Sequence, residues 1–299
     1  MKITESMRTE WPFHPMGWAS KWVVAAMAAA LMSGAQAAPP VTAAIAVPNA
    51  EIYNRWVADV KGCQNVRSFN RDKVTRPAVE AILTCQALKL GGYDGEFKLV
   101  EAPNYARALL MATEGQVSMP AESLGNENFD EKKFYFTKPV LLDGDIRVAL
   151  YVMADKLKTY NVKTVEDLRK LKATTSSTWV KDWTALKALG VPIEEAGTWS
   201  SMLKMVAADR AQFIMFEFKP TPDFVTEQEG VKLAPLPGVR ITLHGERSMA
   251  VSKAIPNAQE VFTALNKGIE ILRANGTIAR AWRESHYIDK RTDSWVSLN

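Results

Sequence analysis

The stretch that decides the fold is residues 130–155, DEKKFYFTKPVLLDGDIRVALYVMAD. Its second half, residues 146–152, is rich in β-branched and aromatic residues, a composition typical of a buried strand. A polar turn at residues 143–145 separates this strand from an aromatic cluster at residues 134–136. Because αβ patterns lie both before and after the stretch, we interpret it as the passage from one lobe to a second lobe.

The first 37 residues have the three parts of a secretory signal. Basic residues precede an apolar run at residues 22–32, and the small residues Ala35 and Ala37 come before Ala38. The run is shorter than the roughly 20 residues that a membrane span needs, and the alternative is an uncleaved anchoring helix. We expect a signal peptide of residues 1–37 and export to a bacterial periplasm.

Composition excludes several classes of function. The net charge is +4, and the chain has no cluster of basic residues long enough to follow a phosphate backbone. We therefore expect no nucleic-acid partner. No phosphate-binding glycine loop or G-x-S-x-G motif occurs, and His244 and His286 lack metal-ligand spacing with the cysteines. We therefore expect no catalytic residue, no cofactor and no metal. The roughly 260 residues after the signal are enough for two lobes.

The two cysteines, Cys63 and Cys85, both lie in the exported part. In an oxidising compartment an even pair indicates a disulfide, which would contribute roughly 3 kcal/mol by loop-closure entropy. The alternative is two buried free thiols, because the sequence does not show whether the pair meets the distance requirement.

The chain after the signal begins with an Ala/Pro/Val-rich segment, residues 38–48, for which we expect an extended lead-in without a core of its own. Helical spacing of apolar residues predicts a helix over residues 73–90, ended by two glycines. A strand at 97–101, a helix beginning at residues 103–104 and a strand running into a loop at 116–123 complete one αβ layer. Open αβ sheets usually hold ligands at such loops.

A hydroxyl-rich turn precedes a helix in the second αβ region. Ser176, Ser177 and Thr178 lead into Trp179, and hydroxyls with free N–H groups at a helix start favour an anion. The alternative is that one hydroxyl caps the helix while the others are solvated. Trp179 and Trp183, four residues apart, could stack on a solute or pack in the core.

The most conspicuous single residue is Glu217, a carboxylate in the apolar run at residues 213–218. If that run is a strand, Glu217 lies at its carboxyl end and faces a cleft, where burial would raise its pKa. The alternative is a strand-end glutamate that points to solvent or pairs with a nearby basic residue.

Several short signatures lie in an order that resembles the type II periplasmic solute-binding proteins of family 3, the amino-acid-binding type. The residues 136–139 (Phe-Thr-Lys-Pro) resemble the Phe-Thr-x-Pro of that family, residues 164–168 resemble its s-x-x-D-L helix, and residues 272–277 its L-x-x-x-G-T. The resemblance covers about residues 73–286. It implies an α/β fold of two lobes joined by two hinge strands that close on a small solute.

The resemblance also implies boundaries and ligand contacts. Lobe 1 would comprise residues 38–141 and 246–299, and lobe 2 residues 142–245. Solute contacts would come from an aromatic loop, the loop after the first strand pair, the hydroxyl turn and the acidic strand end. The expected ligand-binding residues are Phe69, Ser118, Glu122, Ser176, Ser177, Thr178, Trp179 and Glu217.

This chain departs from the family pattern at one functional position. Amino-acid binders carry an arginine about six residues before the Phe-Thr, whereas this chain has Asp130 and Glu131 there, so that carboxylate clamp is missing. Residues 66–69 are the nearest candidate for the opening strand.

Three functions remain open at this level. The leading interpretation is a monomeric, non-enzymatic binding protein for a small polar solute, with an inner-membrane transporter of the ABC type as partner. The second is an enzyme on the same scaffold, similar to cyclohexadienyl dehydratases, with Glu217 as general acid. The third is a binding fold without a ligand that serves as an interaction or sensing protein.

Overall fold

The computed structural model describes residues 38–71, 73–125 and 130–299, so the predicted signal segment lies outside the described residues. The strands are β1 Val41–Ala46, β2 Phe97–Ala102, β3 Met119–Pro120, β4 Leu124–Gly125, β5 Phe134–Leu141, β6 Ile146–Met153, β7 Ala173–Thr175, β8 Ile193–Glu195, β9 Phe213–Glu217, β10 Thr226–Gln228, β11 Val231–Pro235, β12 Val239–Leu243, β13 Arg247–Ser252 and β14 Val296–Ser297. The α-helices are α1 Val47–Asp59, α2 Arg76–Gly91, α3 Tyr105–Thr113, α4 Val165–Leu168, α5 Val180–Ala188, α6 Trp199–Ala207, α7 Ala258–Ala274 and α8 Thr277–Glu284. No helix in these ranges combines the length and the hydrophobicity needed to cross a membrane.

The first sheet begins with β2, β1 and β3 in parallel pairing. A separate three-stranded sheet, β4-β13-β5, borders it, and the N–H of Ser252 in β13 donates to the carbonyl of Ser118, the residue before β3 (2.9 Å). We refer to the two together as the first sheet. Strand β13 also pairs antiparallel with β4 and β5. The sheet therefore joins an early part of the chain to a strand that returns much later.

The central strand of this sheet corrects one expectation from the sequence. The extended lead-in without a core, predicted for residues 38–48, is wrong, because β1 pairs on both edges and Val41, Ala44 and Ile45 are fully buried. Residues 66–69, the candidate opening strand, have no strand conformation. A central parallel strand is covered on both faces and shows no alternation, and alanine is a weak strand former, which explains the error.

Helices α2 and α7 pack against each other at very short range. A Cβ atom added to Gly91 would lie 1.8 Å from the carbonyl oxygen of Ala264, and one added to Gly268 would lie 1.8 Å from that of Ala87. The two helix backbones therefore touch where glycine leaves room. This contact fixes the position of α2, whose first turn carries a charged residue of the candidate site.

The second sheet has the order β10-β11-β6-β9-β7-β8. Strand β6 is central: it pairs antiparallel with β9 on one edge and with β11 and β12 on the other. Strands β7 and β8 are parallel to each other, as are β7 and β9. Each of β7 and β8 is followed by a helix of its own. Because the two strands are parallel, the loops after them lie at the same end of the strands.

The chain passes twice between the sheets through short connections, one from β5 to β6 and one from β12 to β13. Asp143 in the first connection joins them: its Oδ1 accepts from the N–H of Gly245 (2.5 Å) and lies 3.3 Å from Nδ1 of His244. The backbone hydrogen bond holds the pKa of Asp143 below its usual value. The two connections thus run side by side.

A third passage near the C-terminus was not predicted from the sequence. After α8 the chain reaches the second sheet, where β14 pairs in parallel with β12. The Trp295 ring packs edge-on against Phe218 (5.1 Å between centroids) and Phe224 (5.6 Å). The segment after α8 therefore connects the two sheets independently of the other passages.

The predicted disulfide between Cys63 and Cys85 is confirmed. The two Cα atoms lie 6.3 Å apart, within the range that a disulfide bridges. It joins a short 3₁₀ helix, Cys63–Asn65, to α2. The Gln86 amide supports the same junction by donating to the carbonyls of Cys63 (2.9 Å) and Val66 (3.0 Å).

Candidate functional site

A buried ion-pair group lies at the start of α2. Arg76, in the first turn, donates from Nη1 to Glu80 (2.7 Å) and from Nη2 to Glu122 (2.9 Å). Burial alone would lower the pKa of Arg76, but the charges of Glu80 and Glu122 hold it well above its usual value. For Glu122, burial raises the pKa, and Arg76 opposes that shift. The arginine is therefore shared between two carboxylates.

Ser123 connects this group to a second guanidinium. Glu80 is fully buried and accepts from the N–H (3.0 Å) and the hydroxyl (2.5 Å) of Ser123. Arg247, the first residue of β13, donates from Nε to the Ser123 hydroxyl (3.0 Å) and from Nη2 to its carbonyl. The first-sheet side of the site is thus a continuous network in which every charged group has a partner.

Two carboxylates come from the second sheet. Glu217 ends β9, and Asp182 lies in the first turn of α5, the helix that follows β7. Burial, and to a smaller extent the charge of Glu217, raises the pKa of Asp182 to about 7 against the lowering effects of its own backbone N–H, Arg247 and Arg76. The charges of Glu217, Arg247 and Arg76 all act on Asp182, so these groups of the two sheets lie near one another. Apart from its own backbone, Asp182 receives no hydrogen bond from the described residues.

Tyr287 adds a hydroxyl from the segment after α8. The residue is 9% exposed, and its ring packs 5.3 Å from that of Trp282, whose indole N–H donates to the carbonyl of Val140 (2.8 Å). Burial holds the pKa of Tyr287 above its usual value, and the charges of Arg76 and Glu217 act on it in opposite directions. Its hydroxyl has no hydrogen-bond partner among the described residues.

An ammonium group lies beside Glu217. The Nζ of Lys219 is 3.4 Å from Glu217 Oε2 and 3.6 Å from the centre of the Phe216 ring. Both charged side chains are largely buried, with 17% of Lys219 and 23% of Glu217 exposed. Phe216 in turn packs on Trp199, with 4.4 Å between the ring centres. The end of β9 therefore presents a carboxylate, an aromatic ring and a cation in contact.

The predicted hydroxyl turn is held by its own hydrogen bonds. The Ser176 and Thr178 hydroxyl oxygens are 2.8 Å apart, and the N–H of Thr178 donates to Ser176 Oγ (3.3 Å). The N–H of Ser177 donates to Glu195 (3.1 Å), and the side chain and the N–H of Ser177 together hold the pKa of Glu195 below its usual value. Ser176 is buried, whereas Ser177 and Thr178 are exposed. The turn thus already holds a carboxylate, which comes from β8.

The other predicted site residues pack in different places. Trp179 is half-buried and stacks on Trp199 (6.3 Å) beside the core of the second sheet. Ser118 is buried and hydrogen-bonds to Thr42 of β1. Phe69 is fully buried against Trp56 (5.7 Å). Among the residues expected from the sequence, the structure brings only Glu122 and Glu217 into the charged site.

Comparisons with known proteins support the fold. No protein-family model matches the chain, and no curated protein matches it in sequence. The periplasmic VFT2 domain of BvgS from Bordetella pertussis is similar in structure, with a TM-score of 0.52 and 15% identity over 90% of this chain and 100% of that one. The chain has the type II periplasmic-binding-protein fold.

Two further structures share this fold. An amino acid ABC transporter substrate-binding protein from Streptococcus pneumoniae, bound to L-arginine, has a TM-score of 0.52 and 13% identity over 70% of this chain and 83% of that one. The GluR0 ligand-binding core from Nostoc punctiforme, in complex with L-glutamate, has a TM-score of 0.50 and 14% identity over 83% and 99%. The predicted two-lobed α/β fold class is confirmed.

In the periplasmic-binding-protein fold, two lobes can close around a ligand between them. The charged site of this chain combines residues of both sheets. Sequence reasoning missed five of its members, whose charges or hydroxyls have no distinctive local pattern. They are Arg76, Glu80, Asp182, Arg247 and Tyr287.

One local signal for part of this group is present in the sequence. Arg76 and Glu80 are four residues apart in a helix that is otherwise buried along most of its length, so a charged pair there is anomalous. Among the described residues, no group of three or more His, Cys, Asp and Glu side chains is placed to hold a metal ion.

Proposed function

We propose that this protein is a non-enzymatic solute-binding protein that captures a small polar solute between its two lobes. Lobe 1 comprises residues 38–141 and 246–299, and lobe 2 residues 142–245, with the last segment returning to the second sheet. The observation that supports this function is the site itself. Arg76 and Arg247 from one sheet and Asp182 and Glu217 from the other act electrostatically on a single region between the sheets.

Such a site favours a ligand that contacts both sides. A solute placed between them can contact groups such as Asp182 and the Tyr287 hydroxyl, which receive no side-chain hydrogen bond from the described residues. Contacts to both lobes stabilise the closed arrangement over the open one, and the population shifts accordingly. The parallel connections at Asp143 and Gly245 are the natural hinge.

The cellular setting belongs to the same proposal. The segment 1–37 directs export to the periplasm, and the Cys63–Cys85 disulfide suits that oxidising compartment. The protein works there as a monomer and delivers its solute to an inner-membrane ABC transporter. The similarity in fold to a substrate-binding protein of an amino acid ABC transporter supports this role.

A thermal-shift screen with intrinsic tryptophan fluorescence tests the proposal. We expect at least one small polar solute to raise Tm, because a ligand that binds only the folded state stabilises it. Asp182→Asn and Glu217→Gln should each raise, by at least tenfold, the solute concentration that is needed to produce the same rise in Tm. The exposed Glu227→Gln is the matched control and should leave it unchanged. If no solute raises Tm and a partner protein co-purifies instead, the interaction-protein interpretation replaces this one.

A second candidate function is acid-catalysed elimination on the same scaffold. One observation favours it: Asp182 has a pKa of about 7 in the site, which suits a general acid near neutral pH. The sequence suggested Glu217 for that role. Turnover of prephenate or arogenate by the pure protein, lost in Asp182→Asn or Glu217→Gln, would establish this function. Absence of turnover with retained solute binding would exclude it.

A further inference from the structure

The segment 286–299, which we call the strap, is attached to the first sheet at one end and to the second sheet at the other. At the first end, the N–H of Ile288 donates to the carbonyl of Trp282 (3.0 Å), and the Tyr287 ring packs on the same tryptophan. Trp282 is 1% exposed, and its indole N–H donates to the carbonyl of Val140 in β5. The strap therefore starts from a fixed point beside the first sheet.

The strap reaches the second sheet within three residues of that point. Arg291 Nη1 donates to the carbonyls of Thr221 (2.8 Å) and Pro222 (3.2 Å), which lie in the loop between β9 and β10. Two residues later, Asp293 forms an ion pair with Arg147 of β6. These contacts connect the strap to two separate parts of the second sheet.

Aromatic and amide contacts near the C-terminus complete the docking. The Trp295 ring packs edge-on against Phe218 and Phe224. The Asn299 side chain pairs with the backbone of Thr242: its Oδ1 accepts from the N–H (3.0 Å), and its Nδ2 donates to the carbonyl (2.7 Å). Because aromatic packing and several hydrogen bonds must be lost together, detachment from the second sheet is costly.

A compact turn between the two attachments leaves little spare length. The 3₁₀ helix Lys290–Thr292 begins after Asp289, whose buried carboxylate accepts from the N–H (2.9 Å) and the Nη2 (2.5 Å) of Arg291. The Nδ1 of His286 lies 3.1 Å from the same carboxylate. Burial would raise the pKa of Asp289, but the hydrogen bonds from Arg291 and His286 hold it below its usual value. The turn is thus closed by its own side chains.

The free length of the strap sets how far its two attachments can separate. Ile288 is bonded on the first-sheet side and Arg291 on the second-sheet side. A 3₁₀ helix rises about 2.0 Å per residue and an extended chain about 3.3–3.6 Å, so unwinding three residues releases about 5 Å at most. A larger separation requires one of the attachments to break.

We propose that the strap restrains opening of the candidate site: it stays docked on lobe 2, and its short free length limits the separation of the lobes. Two side-by-side connections allow rotation about them, and a third attachment of fixed length opposes that rotation. The charges of Arg76 and Glu217 act on Tyr287, so the strap passes beside the site. The inference concerns the range of motion and goes beyond the capture of a solute.

The restraint has a consequence for binding. A protein whose lobes cannot separate widely populates arrangements close to the closed one before any solute arrives. Less of the free energy of binding is then used for closure, because the competent state is already populated.

Pulsed electron paramagnetic resonance on the protein without added solute tests the inference. The two cysteines of the chain are bonded to each other, so spin labels can be attached at Ala106→Cys on α3 and Thr184→Cys on α5, both exposed. The test variant has three glycines inserted between Ile288 and Asp289. The insertion leaves both attachments of the strap in place and adds about 10 Å of chain.

We expect a narrow distribution of label distances in the wild type, and one wider by at least about 5 Å in the insertion variant. The same insertion after Gly230, in the exposed turn between β10 and β11, is the control and should leave the distribution unchanged. An insertion variant with the wild-type distribution would overturn the inference. A wild type that already spans the wider range would overturn it too.

A substitution tests the same restraint if the insertion variant does not fold. Arg291→Met moves the first attachment on the second sheet from residue 291 to Asp293, so the distribution should widen, though less than with the insertion. The exposed Lys290→Met loses the same charge and has no hydrogen bond or ion pair among the described residues. Equal widths for the two substitutions would overturn the inference.

Failure of this inference and failure of the proposed function are distinguishable. The label distances are measured without a solute, so a result against the strap leaves the capture function standing. A thermal-shift screen that finds no solute removes the capture function and leaves the measured restraint.

Discussion

Arg76 and Glu122, 46 residues apart in the chain, are joined by a hydrogen bond of 2.9 Å from Nη2 to Oε2. The contact links the first turn of α2 to the loop after β3, and both are largely buried, with 16% and 10% of the side chains exposed. A buried pair of this kind is expensive to break, because the remaining partner stays charged and desolvated. It therefore shapes one side of the candidate site.

The first prediction concerns Arg76→Met. The substitution leaves Glu80 and Glu122 buried without a cation, so we expect the free energy of unfolding to fall by about 3–5 kcal/mol. Urea denaturation at pH 7 measures it. Arg67→Met removes an arginine from an exposed position and should change stability by less than about 0.5 kcal/mol. Equal effects of the two substitutions would contradict the importance of the ion-pair group.

The second prediction concerns the contact between α2 and α7. Gly268→Ala places a Cβ atom 1.8 Å from the carbonyl oxygen of Ala87, so the helices must separate. We expect a loss of about 3 kcal/mol or more, at the upper end of the costs of overpacking. Gly197→Ala, where the added atom meets nothing within 4 Å, is the control. Differential scanning calorimetry of both variants measures the effect, and a tolerated Gly268→Ala would show that the helices are not in backbone contact.

The third prediction concerns the pH dependence that Asp182 confers. Its pKa rises from 3.8 to about 7 on folding, chiefly through burial, so the native state keeps a proton that the unfolded state loses. The stability from this group is therefore complete below about pH 4 and is lost as pH rises toward 7. We expect Asp182→Asn, which cannot ionise, to match the wild type below about pH 4, to exceed it increasingly as pH rises toward 7, and to keep that excess at pH 8. Urea denaturation across this range measures the difference, and a difference independent of pH would contradict the assignment.

The fourth prediction concerns the C-terminal passage to the second sheet. Trp295→Ala removes the ring that packs on Phe218 and Phe224, and we expect a loss of about 2 kcal/mol. Amide hydrogen exchange should rise in β12 and β14, since the tryptophan fixes their pairing. The neighbouring Val296→Ala is the control, because that side chain is 57% exposed. Unchanged exchange in both strands would show that Trp295 does not hold this segment.

Much of the second sheet could be predicted from local patterns. Thr164 caps α4 through a capping box with Asp167, as the hydroxyl and the acidic first turn indicate. The apolar run that ends at Glu217 is a strand with the carboxylate at its end. These features depend on neighbours along the chain, and for that reason the sequence contains enough information to find them.

The features of the fold and of the site that could not be predicted from the sequence have a common physical cause. Strand β1 is rich in alanine, which suits the close-packed centre of a sheet but has a low propensity for strands, so the sequence does not predict a strand there. The site residues Arg76, Asp182 and Arg247 are ordinary charges whose burial depends on elements far away in sequence. A local sequence pattern does not show which charged residues, at the ends of helices and strands, come together in the folded protein.

Native mass spectrometry of protein prepared from the periplasm without denaturation tests the central claim most directly. The account predicts a bound small molecule of defined mass that Asp182→Asn and Glu217→Gln both lose, whereas Glu227→Gln retains it. A protein free of small molecules in every preparation, with no solute bound on addition, would contradict it, as would an adduct that survives both substitutions.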